Sequence, residues 1–509
     1  MTPNDQQEEI IKYEGYALSI NSGAGTGKTS VLVEYALRRP NIPMLYVCYN
    51  EAIQKEAKKK FPDNVKCITG HAMAFAVYGV KYNHKLVDNY RLTLVKNFIE
   101  TKSWEVATNC LKALNNFLNS DSPDFIDKHA SFIPGTSQKA RQLRKITLGF
   151  AKKMWLAAID INSDFPVSHD VYLKLYCLSE ANLSRWFGVI LFDEAQDANP
   201  VISGFILRNK CRFILVGDRN QQLYRFRNAE NALKNFEKEK NADVMFMTKS
   251  FRFGPSVAQM ANYILQHTSK VSGEEQPPME GNPSIQDVVV DSVLPKELNK
   301  KHTRLHRTVQ GVFDTGINNI HRKIYWIGGI EKYNLQELLD VYFLSINDKK
   351  SIVRKKLIVD YKSYEIYKES AEGSNDFGMK RIIKIIKEHG DSVISKVKLL
   401  KKNSVSSEKE ADLTIGTVHR SKGLEWPFVI LDDDFKDLLD DSANYSKDYI
   451  VDELNILYVA ITRAQKKLKI NKIAADIMRL HISNDGNKNT FKRIKSDSKP
   501  TFNKVKIAT

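Results

Sequence analysis

The sequence predicts an α/β protein in which parallel sheets are covered on both faces by helices. Three observations predict it: short runs that are apolar throughout, acidic residues or glycines closing those runs, and longer helical stretches between them. At 509 residues the chain has room for about three domains. Its 42% hydrophobic and 27% charged content fits folded globules and excludes wholesale disorder.

The elements follow in order. Tyr16-Ala17-Leu18-Ser19-Ile20 is a buried strand, followed at once by a glycine-rich turn and a helix from Thr29 to about Arg38. Met44 to Tyr49 is the next strand, and the lysine-rich run from Glu51 to Phe61 a helix. Val189 to Phe192 and Phe213 to Val216 are two further apolar strands, each leading into acidic residues. A second strand-and-helix block opens near Val244. It closes with Leu413 to Ile415, Phe428 to Leu431 and a helix around Asn455 to Thr462.

Composition shifts set the expected boundaries: a first lobe over 1–81 and 185–243, interrupted by a polar, mostly helical insertion over 82–184. A second lobe covers 244–339 and 410–482, with a lysine-rich helical insertion over 340–409. Lys401 to Ser407 is expected to be a linker. The tail over 483–509 is basic and expected to be disordered.

No apolar run approaches the ~20 residues a membrane helix needs, and the polar, acidic start predicts no secretory leader. The five cysteines, Cys48, Cys67, Cys110, Cys177 and Cys211, form no CxxC pair, which argues against zinc or iron–sulfur ligation. A cytoplasmic or nuclear compartment is expected. The formal charge of +17 suits a polyanionic partner.

Ser22-Gly23-Ala24-Gly25-Thr26-Gly27-Lys28-Thr29 lies between a predicted strand and a helix. The strict phosphate-loop pattern has Gly where Ser22 stands; the rest matches. Backbone N–H groups freed by the glycines can cradle phosphate oxygens. Lys28 can reach the β/γ-phosphates, and the Thr29 hydroxyl can ligate Mg²⁺. Val189 to Phe192 then delivers Asp193 as the metal partner and Glu194 as a base for an attacking water, so the expected reaction is hydrolysis rather than transfer to a bound acceptor.

Further motifs follow: Val216 to Arg227, Ser250-Phe251-Arg252-Phe253-Gly254, Thr417 to Trp426, and Leu457 to Ala464. This ordered set resembles superfamily 1A DNA helicases of the UvrD/Rep type. Ser168 to Leu175 and the Ser250 to Gly254 motif are most similar to the F-box DNA helicase branch. The resemblance spans residues 4 to 464 and implies two RecA-like lobes with ATP in a cleft between them. It assigns Gln7 to the adenine, Phe251 to stacking on the base and Glu425 to the ribose. Gln221 is assigned to the γ-phosphate or the attacking water, with Arg252 and Arg463 as arginine fingers. Single-stranded DNA and strand–duplex junctions are the implied partners, touched by Tyr49, Asn50, Thr69, His71, Tyr224, Phe226, Thr417 and His419. The cofactors are ATP and Mg²⁺.

The resemblance implies a 3′ to 5′ helicase or translocase in repair or recombination, working as a monomer, in a nucleus or on a nucleoid. Other repair or recombination proteins are further implied partners. Gln7 stands so near the start that no F-box is expected, and no ubiquitin-ligase partner is carried over. The short second-lobe insertion keeps a protein-stripping translocase with little unwinding as an alternative, beside a nucleotide-gated DNA-binding switch. Lys349, Lys350, Arg354, Lys355 and Lys356 are a duplex-gripping patch or a solvated helix face.

Overall fold

The computed structural model describes residues 2–48, 51–179, 181–223, 232–374 and 376–484. It contains two six-stranded sheets, all of whose strand pairs are parallel. The first is built from β1 (Ala17–Ser22), β2 (Met44–Cys48), β3 (Val65–Thr69), β4 (Val189–Phe192), β5 (Arg212–Gly217) and β6 (Asp243–Met247). Its spatial order is β3-β2-β4-β5-β1-β6. The second is built from β7 (Val288–Val290), β8 (His302–His306), β9 (Ile324–Trp326), β10 (Leu413–Thr417), β11 (Trp426–Leu431) and β12 (Ala464–Lys469), in the order β9-β10-β8-β11-β12-β7.

Alternation explains why the first sheet's strands are apolar throughout. Leu45, Val47, Ile190, Phe192, Phe213 and Leu215 enter one core, while Met44, Tyr46, Val189, Leu191, Ile214 and Val216 enter another. Successive side chains point to opposite faces, so a sheet covered on both sides needs hydrophobes at every position. The α/β class expected from the sequence is the observed one.

The chain divides into two units, the first comprising 1–23, 27–247 and 333–399. The second comprises 248–332 and 400 onward, together with Ala24–Thr26. Within the first unit, residues 333–399 pack against the helical insertion that follows β3. Arg91 pairs with Asp360 at 2.5 Å, and the rings of Trp104 and Tyr361 stack with centroids 6.4 Å apart. The expected linker at 401–407 is shorter than its composition suggested. Lys401, Lys402 and Asn403 complete a helix over Ser392–Asn403, because Leu400 and its apolar neighbours Val393 and Val397 are fully buried. Among the described residues, no helix is long and apolar enough to cross a membrane, and all five cysteines are free and buried.

Candidate nucleotide site

Parallel strands leave their C-terminal ends together on one edge of a sheet, where ligands of such sheets gather. In the first unit, the ends of the neighbouring strands β1, β5 and β4 lead into the loop over 23–27, Asp218 and Asp193. Helix α1 (Asp5–Ile11) begins with Asn4 as its cap, and α2 (Lys28–Leu37) begins directly after the loop. Gly27, at φ +83°, caps α2 in a left-handed conformation that a side chain would strain. The first N–H groups of α2 have no intrahelical carbonyl to meet, so they are available to an anion.

Thr29 Oγ1 donates to Asp193 Oδ2 at 2.9 Å. The Tyr46 hydroxyl donates to the same oxygen at 2.7 Å, and the Glu194 N–H donates to Asp193 Oδ1 at 2.8 Å. Burial, and then the neighbouring Glu194 charge, push the Asp193 carboxyl above its ordinary range. Burial pushes the Tyr46 phenol well up as well, ahead of the nearby Asp193 charge. Lys28 Nζ lies 3.9 Å from Glu194 Oε1. Glu194 sits at φ +53°, a left-handed conformation rare for a glutamate, and Gln196 Nε2 donates to its Oε2 at 2.6 Å. Gln196 Oε1 accepts the Asp218 N–H at 3.1 Å, and Gln221 Nε2 donates to Asp218 Oδ2 at 2.7 Å. Lys28, Thr29, Asp193 and Glu194 are thus brought together. Gln221 stands beside them through Asp218 and Gln196.

This donor set fits Mg²⁺. A hydroxyl and a carboxylate are hard oxygen ligands, held within hydrogen-bond distance of each other. Mg²⁺ commonly takes only one or two protein oxygens beside phosphates and water. Among the described residues no group of three or more His, Cys, Asp and Glu can hold a metal ion. The fit therefore rests on Thr29 and Asp193.

Gln7 is buried, and its Oε1 accepts the Asn4 N–H at 3.0 Å while Asn4 Oδ1 accepts the Gln7 N–H. The side chain thus closes the α1 capping box. Ser22 is also buried, and its Oγ has no hydrogen-bond partner.

In the second unit, the Phe251 N–H donates to the Gly25 carbonyl at 2.8 Å, and the Ala24 N–H to the Tyr458 hydroxyl at 3.2 Å. Gly25 has φ +74°, and a Cβ added there would stand 2.6 Å from Arg252 Cβ. Glycine is required on both counts. Thr26 is almost fully buried, and the Phe251 ring is half exposed. Arg252 Nε donates to Glu425 Oε2 at 2.5 Å and its Nη1 to the Thr462 carbonyl at 3.0 Å. Arg463 is only 1% exposed. Its Nε donates to the Val459 carbonyl at 2.9 Å, and its Nη1 to the Leu424 carbonyl at 3.2 Å.

Of the strand-contact residues, Thr69 caps the helix over Gly70–Val77, its Oγ1 accepting the Ala72 N–H at 3.1 Å. His71 Nε2 lies 3.3 Å from Asp170 Oδ1. Thr417 is buried at the end of β10, and His419 is half-buried just beyond it. Tyr49, Asn50, Tyr224 and Phe226, and the tail from 485, lie outside the described residues. The five basic residues between 349 and 356 are all exposed. Sequence reasoning missed Tyr46 and Gln196. Gln196 carried a signal, standing inside the Asp193 to Asp197 box, whereas Tyr46 looked like any strand residue.

Residues 80–475 match the family model for the UvrD-like helicase C-terminal domain. The chain belongs to the UvrD-like helicase family. It is 29% identical to F-box DNA helicase 1 of Gallus gallus, over 93% of this chain and 49% of that protein. It is 30% identical to F-box DNA helicase protein 1 of Schizosaccharomyces pombe, over 92% of this chain and 57% of that protein. It is 21% identical to the ATP-dependent DNA helicase PcrA of Bacillus subtilis, over 52% of this chain and 40% of that protein. This UvrD-like chain spans about half the length of the curated relatives it matches.

Proposed function

We propose that this chain is an ATP-dependent DNA helicase and single-strand translocase that moves 3′ to 5′ and serves DNA repair or recombination. The observation that carries the reading is the Lys28, Thr29, Asp193 and Glu194 constellation, set in a chain of the UvrD-like family. Lys28 and the loop N–H groups bind and neutralise the β/γ-phosphates. Thr29 and Asp193 would hold Mg²⁺, which supplies charge to the phosphate oxygens. Glu194 Oε1 accepts a proton from the attacking water, whose oxygen forms the new bond to the γ-phosphorus as the bond to ADP breaks. Gln196, donating to Glu194 Oε2, keeps that carboxylate aimed.

Gln221 senses the γ-phosphate. Phe251, Glu425 and Gln7 hold the base and ribose. Arg252 and Arg463 are the cations that spread transition-state charge. Single-stranded DNA is gripped by Thr69, His71, Thr417 and His419, with Tyr49, Asn50, Tyr224 and Phe226 adding contacts and stacking worth ~1–3 kcal/mol per base.

The deciding measurement is ATP turnover with and without single-stranded DNA. Strong stimulation in the wild type, abolished in Lys28→Ala while strand binding persists, is the expected result. Wild-type turnover in Lys28→Ala refutes the assignment, and DNA-independent turnover refutes the motor. The short insertion over 340–409 keeps a second reading, a translocase that strips proteins from single strands. Duplex-displacement and filament-removal assays on one preparation separate the two.

A further inference from the structure

Tyr46 is a tyrosine in a strand where every residue is buried, and a phenylalanine would fill the same space. Its hydroxyl is therefore what needs explaining, since a buried O–H without a partner costs ~1–3 kcal/mol. The partner is the Asp193 carboxylate, 2.7 Å away. That carboxylate offers about four acceptor positions. Oδ2 receives both Thr29 and Tyr46, and Oδ1 receives the Glu194 N–H, so three are taken by protein donors. Both oxygens are thereby pinned, which fixes the plane of the carboxylate.

The pin itself is rigid. β2 is flanked by β3 and β4 in continuous parallel ladders, and the Tyr46 ring packs on Phe61 with centroids 4.5 Å apart. Thr29 and Glu194 belong to the two segments that surround the phosphates. Tyr46 alone of the three donors comes from a strand with no other part in the site.

We propose that Tyr46 is a positioning residue for metal-dependent nucleotide binding. Its hydroxyl holds Asp193 in the orientation that receives Mg²⁺ on a nucleoside di- or triphosphate, an inference that rests on the ATPase reading above. Removing the hydroxyl leaves Oδ2 held by Thr29 alone, the donor that would itself turn to Mg²⁺, so the carboxylate loses its one support from outside the phosphate-binding segments. A hydrogen bond to a charged group is worth about tenfold or more in an equilibrium constant.

The test is Tyr46→Phe in the full chain, beside Phe61→Leu, which loosens the ring packing but keeps the hydroxyl. Affinity for a fluorescent ADP analogue is measured in Mg²⁺ and in EDTA, and ATPase is titrated with Mg²⁺. Tyr46→Phe is expected to keep its affinity in EDTA within about twofold. It should lose about tenfold of the gain that Mg²⁺ confers, and need about tenfold more Mg²⁺ for half-maximal turnover. Phe61→Leu is expected to unfold at lower temperature with the wild-type Mg²⁺ dependence. Equal Mg²⁺ dependence in Tyr46→Phe and wild type overturns the inference and leaves the ATPase reading intact. An equal shift in Phe61→Leu also overturns it, since packing would then be the cause. A wild-type protein with no Mg²⁺-dependent nucleotide binding sinks both.

Discussion

Lys174 permits a quantitative test of the helical insertion. It lies in the Ser168 to Leu175 segment that resembles the F-box helicase branch, yet its side chain is fully buried. Its Nζ donates to the Ser120 and Ser122 carbonyls, both at 2.7 Å, and lies 4.3 Å from the Phe117 ring centroid. Burial pulls its pKa from 10.5 down to about 8, against the opposing pull of Asp121. At about 1.4 kcal/mol per pH unit, keeping the proton on the folded insertion costs about 3 kcal/mol. Between pH 8 and 10.5 the unfolded chain therefore binds more protons than the folded one, and stability contributed by this site rises with pH. The cost is fully present below about pH 8 and gone above 10.5.

Lys174→Met removes the titration and leaves two carbonyls unpartnered, a penalty that does not vary with pH. The wild type should thus gain about 3 kcal/mol on the variant from pH 8 to pH 10.5, read from urea unfolding followed within the insertion. Carbon NMR of labelled lysine side chains should show one amine titrating near 8 that vanishes in the variant. A Lys174 resonance titrating at 10.5, with parallel stability curves, would refute the reasoning.

Three further outcomes are expected. Burial lowers the His129 pKa from 6.5 to about 4, so the folded chain refuses a proton that the unfolded chain accepts. Stability at that site is present above pH 6.5 and falls by up to about 3 kcal/mol towards pH 4, and His129→Phe should flatten that acid limb in urea unfolding. In Gly217→Ala, the new Cβ would collide with Gln196 Oε1, displacing the residue that donates to Glu194. Turnover should fall at least about tenfold with nucleotide affinity nearly unchanged, because the proposed base Glu194 is disturbed and the proposed phosphate loop is not; equal losses would place Gln196 outside the proton-transfer step. Phe226→Ala should reduce DNA-stimulated ATPase well below wild type while sparing basal turnover, and matching losses would make Phe226 a packing residue.

The first sheet was legible because its signal is local. Apolar runs such as Val189 to Phe192 and Phe213 to Val216 carry their own evidence, and helix starts follow from the residues beside them. The linker expected at 401–407 begins later in the structure for the opposite reason. Lys401 and Lys402 look like loop composition, but Leu400 is held by tertiary burial, which keeps the helix going to Asn403. Gln7 shows the same limit in the candidate site. The family resemblance assigns its amide to the base, while in the structure the amide closes the cap of its own helix.

The parallel α/β class, the glycine-rich loop at a strand–helix junction and the acidic end of Val189 to Phe192 can all be read along the chain. Each is set by neighbours a few residues apart, and period and spacing report them directly. That Tyr46 reaches Asp193, that Lys174 is buried under Ser120 and Ser122, and that residues 333–399 pack with the first unit comes from the folded chain alone. Those contacts join residues 147, 54, 52 and, for Arg91 with Asp360, 269 positions apart. At such separations nothing in the local pattern distinguishes a partner from a bystander, and only the packed chain brings the two groups into reach.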